Sequence, residues 1–246
     1  MKKLVAYITA SYPNKNFTVE LIESLSSVGA DYIELGIPFS DPVADGPVIE
    51  YANMLSLKNG FKMVDIFEIS QKAKRDSKLY WMGYLNPFIR KGMDFFIQEA
   101  KRCGVSGFII PDMPYEESLV YKNIFENSGV ELIDFIAPTD TKGRISLIAN
   151  NGNGFIYLVA YAGITGASKS ENLEEIISNI RGVSKREIFL GFGVNEHNAK
   201  EKGDNVDGVI VGSAFVKLLT DEGLTNTEKM TKITTLAKDI KEKINS

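Results

Sequence analysis

The chain has 246 residues, of which 44% are hydrophobic and 24% charged; these proportions are typical of a globular protein and exclude disordered, collagen-like and coiled-coil chains. Its 28 basic and 32 acidic residues give a net charge of −4, which offers no electrostatic reason to expect nucleic acid or an anionic membrane as a partner. One cysteine and one histidine cannot build a disulfide framework or a Cys/His zinc cluster.

The most apolar stretch, Ile156–Ile164, is too short to cross a bilayer. The first residues briefly imitate a signal peptide, but their apolar part is short and Ile8-Thr9-Ala10 is a poor cleavage site. A first β-strand is the better interpretation, and we expect a soluble cytoplasmic protein.

Short apolar segments alternate with amphipathic ones along the chain. Strands are predicted at Leu4–Thr9, Tyr32–Leu35, Leu79–Tyr84, Gly107–Ile110, Glu131–Ile136, Phe155–Val159, Ile188–Gly191 and Gly208–Val211. Helices are predicted at Phe17–Val28, Pro47–Asn59, Val64–Arg75, Met93–Cys103, Glu116–Asn127, Lys142–Ala149, Leu173–Ile180, Glu196–Lys202 and Glu228–Ile244. This rhythm is typical of a (β/α)8 barrel; a doubly wound open sheet has the same alternation but usually fewer strands. No linker interrupts it, so we predict a single-domain α/β barrel over residues 1–246.

An acidic residue interrupts the second apolar strand, Tyr32-Ile33-Glu34-Leu35-Gly36. Burying a carboxylate is costly unless it is neutralised or paired, so packing does not explain Glu34. Catalytic groups of such barrels gather at the carboxyl ends of the strands, where a desolvated carboxyl is suited to proton transfer. An ion pair with an outer helix is the alternative explanation.

The loop after this strand, residues 37–47, holds three prolines, which restrict it to extended and turn geometry. It carries Asp41 and Asp45, and Asp45 is placed to face the same pocket as Glu34. Both aspartates could instead cap turns, an alternative that is strongest for Asp41 before Pro42.

Glycine-rich segments follow the last three strands. They are Gly163-Ile164-Thr165-Gly166, Gly191-Phe192-Gly193 and Gly212-Ser213. Glycines let the backbone approach a ligand, and Gly212-Ser213 begins a short helix whose free N–H groups favour an anion. A phosphate site after strands seven and eight is common in these barrels, so a phosphorylated small substrate is expected.

The sequence offers no good candidates for a catalytic histidine, a reactive cysteine, a Schiff-base lysine or a metal site. His197 lies in a polar helix start and is expected to be solvated, and Cys103 is expected to be a small buried hydrophobe. No predicted strand ends in lysine, which argues against a Schiff-base aldolase, and the acidic residues are too scattered to promise a metal site. A phosphate-bearing substrate handled by carboxylic acids remains.

At these residues the sequence resembles a known family. The segment Tyr32–Pro47 closely resembles the signature of the tryptophan synthase α subunit. The resemblance continues in order through Tyr7–Ala10, Pro111–Glu117, Gly163–Ala167, Gly191–Gly193 and Gly212–Ala214. The first segment is highly specific, whereas the glycine-rich ones are shared with many phosphate-binding barrels.

The resemblance implies a lyase that cleaves indole-3-glycerol phosphate to indole and glyceraldehyde 3-phosphate by a retro-aldol reaction. It implies that Glu34 is the general acid/base and that Asp45 hydrogen-bonds the indole N–H, with Tyr157 as the aromatic residue near Glu34. The implied substrate and phosphate contacts also include Thr165, Gly166, Gly193, Gly212 and Ser213.

It further implies a β-subunit partner in an α2β2 complex, which receives indole through a tunnel. The loop with Asp41 and Pro42 is expected to close the site and face that partner, and Gly163–Ser170 is expected to be a second lid. No cofactor is expected in this chain, because pyridoxal phosphate belongs to the β partner and protonated indole is itself the electron sink.

Three features depart from the family. A helix usually precedes the first strand and covers the barrel floor, so the floor here is expected to be more open or plugged by other side chains. Ala160-Tyr161-Ala162 replaces a more usual serine-containing run, and Ser11 stands where glycine is common.

Two other functions are compatible with parts of this pattern. One is an isomerase or synthase of the same fold acting on a related phosphorylated precursor, although those families lack the proline-rich loop with Asp45. The other is a non-catalytic activator of a synthase partner, which would require loss of the carboxylates, and both are present.

Overall fold

Eight parallel strands close into a barrel in the computed structural model, which describes residues 1–159 and 169–246, with side chains from residue 173 onward in the second range. The strands are β1 Lys3–Thr9, β2 Tyr32–Gly36, β3 Lys78–Met82, β4 Gly107–Ile109, β5 Glu131–Ile136, β6 Ile156–Val159, β7 Ile188–Gly191 and β8 Gly208–Val211. Each strand pairs with the next in sequence, and β8 returns to β1. The predicted (β/α)8 barrel is confirmed, and the open sheet is excluded.

Helices surround the barrel. They are α1 Lys15–Ser27, α2 Pro47–Lys58, α3 Val64–Lys72, α4 Leu85–Lys91, α5 Met93–Arg102, α6 Tyr115–Ser128, α7 Lys142–Asn151, α8 Lys169–Val183, α9 Ala199–Gly203, α10 Ser213–Leu219 and α11 Asn226–Lys243. Within the described ranges, none of them is long and apolar enough to cross a membrane.

Two helical predictions need correction. No helix was predicted at α4, where Pro87 lies in the first turn and its missing N–H is tolerated. The helix predicted from Glu196 begins only at Ala199. The side-chain oxygen of Asn195 accepts from the His197 N–H, and that of Asn198 accepts from the Asn195 N–H, so a side-chain-bonded turn replaces the first helical turn.

The strand residues alternate between two layers of core. On β1, Leu4, Ala6 and Ile8 pack outward against the helices, whereas Val5 and Tyr7 face the barrel interior. On β2 the outward residues are Ile33 and Leu35. This two-residue period therefore directs Glu34 into the interior.

Aromatic side chains plug the lower end of the barrel, where the strands begin. The rings of Tyr32, Tyr80, Phe155 and Phe189 contact one another with centroid separations of 4.5–5.8 Å. The absence of a side chain at Gly107 makes room for Tyr80, because an added Cβ would lie 2.8 Å from that ring. The floor is thus filled by side chains from the strands themselves.

Candidate active site

Glu34 lies inside the upper end of the barrel, where the strands end. Its neighbours in the strand register are Tyr7 on β1 and Tyr80 on β3. The residue is 2% exposed, and within the described part of the chain its Oε1 has no hydrogen-bond partner. Burial, and secondarily the charge of Asp45, raises the pKa of Glu34 to about 8. The side chain faces the interior, so the alternative of an ion pair with an outer helix is excluded.

Asp45 reaches the same site from the loop between β2 and α2. Its backbone N–H donates to the Pro42 carbonyl (2.9 Å), and its Oδ2 accepts from Asn53 Nδ2 (3.4 Å). Burial raises the pKa of Asp45 to about 6, while hydrogen bonds from Tyr84 and Asn53 oppose that rise. The charge of Asp45 acts on Glu34, so the strand and the loop bring the two carboxyls together as predicted.

Tyr84 holds the loop in place. Its hydroxyl oxygen accepts from the Ala44 N–H (3.0 Å), and its ring stacks on Phe39 with centroids 5.2 Å apart. The loop ends where α2 begins: Gly46 is the N-cap of the helix and Pro47 lies in its first turn, a position that proline favours. Sequence reasoning missed Tyr84 and Asn53, which orient Asp45.

The other two residues predicted in this loop are Asp41 and Pro42. Asp41 is exposed and accepts from the Ser40 hydroxyl (2.5 Å), whereas Pro42 is buried. Val43, next to them, is 83% exposed. The tip of the loop is therefore a surface feature with an apolar side chain.

Two tyrosines flank the carboxyl pair. Tyr157 on β6 is 8% exposed and stacks on Phe135 with centroids 4.7 Å apart. Burial and then the charges of Glu34 and Asp45 raise the pKa of Tyr157, so its hydroxyl is within electrostatic reach of both acids. Tyr7 was missed, and the available signal was its inward position one strand from Glu34.

Two strand-end glycines make room for these tyrosines. A Cβ on Gly191 would overlap the Tyr157 ring, and one on Gly36 would overlap the Tyr7 hydroxyl. Gly191 therefore has a packing role, and the expectation that its backbone approaches a ligand stays a prediction. The next two residues, Phe192 and Gly193, have positive φ of 70° and 71°.

The predicted phosphate residues lie partly within the described chain. Gly193 and Ser213 are exposed, and Ser213 begins α10 after Gly212. The first N–H groups of that helix have no carbonyl partner within it. An added Cβ on Gly212 would meet protein atoms only at 3.5 Å, so packing does not demand glycine there. Thr165, Gly166 and the lid segment 163–170 lie in or against the undescribed range, so these predictions stay untested.

The His197 side chain is 84% exposed, and Cys103 is buried with its sulfur 3.6 Å from the Phe67 carbonyl, both as expected. Across residues 1–159 and 169–246, no group of three or more histidine, cysteine or acidic side chains could hold a metal ion. Ser11, predicted as an unusual residue, has a φ of 59°, the conformation that glycine adopts most easily.

Two buried carboxyls with raised pKa stand at the mouth of a closed parallel barrel, an arrangement that defines the class as a (β/α)8 barrel enzyme. The family model for the tryptophan synthase alpha chain matches residues 1–245. The chain belongs to the tryptophan synthase alpha chain family. It is a lyase of the tryptophan synthase complex and cleaves indole-3-glycerol phosphate in tryptophan biosynthesis.

Individual relatives agree with the family model. The tryptophan synthase alpha chain of Wolinella succinogenes is 57% identical over 247 residues, covering 100% of this chain and 97% of its own length. The solved structure of tryptophan synthase subunit alpha from Campylobacter jejuni is 31% identical, with a TM-score of 0.88 over 96% of this chain and 95% of that one. A longer Saccharomyces cerevisiae chain, named tryptophan synthase, is 38% identical over 89% of this chain but only 32% of its own length.

Proposed function

We propose that Glu34 and Asp45 divide the acid–base work of this cleavage according to their protonation states. At neutral pH a carboxyl with a pKa of about 8 mostly keeps its proton, whereas one with a pKa of about 6 is mostly ionised. Glu34 is then available as a proton donor and Asp45 as a fixed negative charge. Environments that push two pKa values apart are the usual way in which neighbouring carboxyls take different roles.

The proposed reaction begins when Glu34 donates its proton to C3 of the indole ring. Asp45 accepts a hydrogen bond from the ring N–H and stabilises the positive charge that the ring then carries. Glu34, now ionised, takes the proton of the hydroxyl on the adjacent chain carbon. The carbon–carbon bond breaks, its electron pair returns to the ring, and indole and the aldehyde are released with Glu34 protonated again.

The protonated ring is the electron sink for this bond cleavage, so we propose that this chain performs its step without a cofactor. The burial of Glu34 supports the ring's role as electron sink, since a low-polarity pocket strengthens the interactions of protein groups with the charge that develops on the ring. Tyr157 is proposed to line the same pocket beside the two acids.

We propose that the phosphate binds on the backbone N–H groups of Gly212, Ser213, Gly193 and Gly166, with the Ser213 and Thr165 hydroxyls adding contacts. The exposed start of α10 supports this site, because helix N-termini attract anions. Phosphate binding would supply remote binding energy that holds the reacting carbon against Glu34.

We propose that a tryptophan synthase β chain is the partner, in an α2β2 complex in the cytoplasm, and that pyridoxal phosphate belongs to the β chain. The relatives' names, alpha chain and subunit alpha, support an assembly with a second kind of chain. The yeast relative supports it too, because a single longer chain contains the region that matches this one. The tip of the loop, where Asp41 and Val43 are exposed on either side of the buried Pro42, is the proposed contact.

The burial of Glu34, whose Oε1 has no hydrogen-bond partner among the described residues, is the single observation that carries these roles. We expect Glu34→Gln to lower indole release by roughly a thousandfold, because an amide cannot donate and retake the proton. Indole release from indole-3-glycerol phosphate is measured for the purified chain alone and with a β chain added, and substrate affinity is measured by calorimetry.

The matched control is Glu131→Gln, which changes a glutamate at the opposite end of the same barrel. It should keep wild-type turnover. Wild-type-like indole release by Glu34→Gln, with or without the β chain, would remove Glu34 from the mechanism.

A further inference from the structure

Tyr7 joins the two halves of the proposed active site. The Cβ of Tyr7 lies next to the start of α10: a Cβ added to Gly212 would be 3.5 Å from it. Its hydroxyl lies over Gly36, where an added Cβ would overlap it. The ring therefore extends from the proposed phosphate-binding end of the site to the strand that carries Glu34.

The surroundings of Tyr7 fix its position. The ring packs in a small cluster with Ala52 of α2 and Val216 of α10, and Tyr7 is 3% exposed. Because Gly36 admits the hydroxyl and both helices confine the ring, the hydroxyl cannot swing away without disturbing the packing.

The Tyr7 hydroxyl is a neutral hydrogen-bond donor throughout the working pH range. Burial and the charges of Asp45 and Glu34 raise its pKa well above the usual value. The hydroxyl of Thr9, two residues along on the same face of β1, adjoins it and partly opposes this rise in pKa. Thr9 is 1% exposed, and in the described part of the chain its Oγ1 has no hydrogen-bond partner.

A buried hydroxyl without a partner is costly, which points to a ligand that completes it. The substrate carries a hydroxyl on each of two carbons between its ring and its phosphate. The one on the ring-bearing carbon loses its proton in the proposed reaction. The other keeps its proton and lies next to the phosphate-bearing carbon, between the two halves that Tyr7 spans.

We propose that Tyr7, with Thr9 beside it, is the specificity-determining residue for this second, non-reacting hydroxyl of the substrate chain. The inference rests on the proposed function, since it takes the carboxyls and the start of α10 as the two ends of the substrate site. Tyr7 donates to the substrate oxygen, and Thr9 Oγ1 accepts its proton. A site built in this way discriminates against a substrate without that hydroxyl, because the protein groups are then left unpaired.

The test compares two ligands in a Glu34→Gln background, where the substrate is not consumed. One ligand is indole-3-glycerol phosphate, and the other is its analogue in which hydrogen replaces only the non-reacting hydroxyl. We expect Tyr7→Phe to weaken binding of the substrate about tenfold and binding of the analogue less than about twofold, because only the substrate loses a hydrogen bond. Thr9→Val should act in the same direction.

Tyr32→Phe is the matched control, since it removes a tyrosine hydroxyl from the lower end of the barrel, where that hydroxyl donates to Glu187 (3.0 Å). It should leave both affinities unchanged. An equal loss for both ligands in Tyr7→Phe would mean that the residue only shapes the cavity, and no loss for either would mean that it is not a contact; each result overturns the inference.

Failure of the proposed function is distinguishable from failure of this inference. If neither ligand binds to the Glu34→Gln protein, the proposed substrate site is wrong and the Tyr7 assignment falls with it. If both ligands bind and Tyr7→Phe does not separate them, only the Tyr7 assignment is wrong.

Discussion

The two ends of the barrel use the same residue types in opposite ways. At the lower end Glu131 accepts from the Tyr80 hydroxyl (2.5 Å) and from Lys78 Nζ (3.3 Å). At the upper end Glu34 also stands among tyrosines, but its Oε1 has no partner in the described part of the chain. Glu131 is partly exposed, with 23% of its side chain accessible, whereas Glu34 is 2% exposed.

This difference shows that solvation and donors, rather than residue type, decide what a barrel carboxylate does. A carboxylate with a hydroxyl, an ammonium group and water around it stabilises the fold modestly. A deeply buried carboxyl such as that of Glu34 keeps its proton to a higher pH, which costs stability as the pH rises and suits the residue to the proposed role of proton donor.

After Glu34→Gln, the substitution expected to lower activity most is Asp45→Asn. We expect Asp45→Asn to lower kcat/KM roughly a hundredfold, because the amide lacks the charge that stabilises the protonated ring but still offers a carbonyl acceptor. Steady-state kinetics with indole-3-glycerol phosphate measures it. A change below about threefold would show that the charge at this position does no chemistry.

The pH dependence of kcat/KM is expected to be bell-shaped. Asp45 must be ionised and Glu34 protonated, so activity should fall below about pH 6 and above about pH 8. The substrate phosphate also titrates near pH 6, so the Asp45→Asn variant is needed to assign the acidic limb. The limb should disappear in that variant; if it persists unchanged, it belongs to the phosphate.

Much of this framework was predictable from sequence, because strands covered on both faces give nearly continuous apolar runs. Glu34 was found for the same reason: an acid stands out within Tyr32–Gly36. The alternation of strands and helices then predicted that the strand of Glu34 ends at the barrel mouth. Asp45 was predicted to lie above Glu34 because it belongs to the loop that follows this strand.

The groups that orient the acids could not be found in this way. A tyrosine in an apolar strand predicts core, and only the strand register shows that Tyr7 faces the interior beside Glu34. Tyr84 and Asn53 contact Asp45 from separate elements, so their role depends on tertiary packing. The packing role of Gly191 could not be found either, because a glycine that admits a ligand and one that admits the Tyr157 ring are identical in sequence.

A smaller effect concerns stability at the upper end. The pKa of Glu34 is about 8 in the fold against 4.5 for an unperturbed group, so between these values the folded state binds more protons than the unfolded state. Stability contributed by this site therefore falls as pH rises through that window and is not recovered above pH 8. We expect Glu34→Gln to raise the free energy of unfolding by on the order of 3 kcal/mol at pH 8, and by little at pH 5.

Urea denaturation of both proteins at pH 5 and pH 8 measures this difference. A Glu34→Gln protein that is less stable than wild type at pH 8 would show that the carboxyl is paired in solution. The contrast between Glu34 and Glu131 would then fail, because the carboxylates at both ends of the barrel would have hydrogen-bond partners.

The smallest change in the free energy of unfolding is expected at the lower end of the barrel, where the substitution destabilises the fold instead of stabilising it. Tyr80→Phe removes the donor to Glu131, which keeps Lys78 and water as partners, so we expect a loss of about 1 kcal/mol in the free energy of unfolding. Combined with Glu131→Gln in a double-mutant cycle, the two changes should cost less than their sum, because they remove one shared hydrogen bond. Turnover should stay at the wild-type level in all three variants. A floor variant that loses activity while remaining folded would show that the two ends are coupled rather than independent.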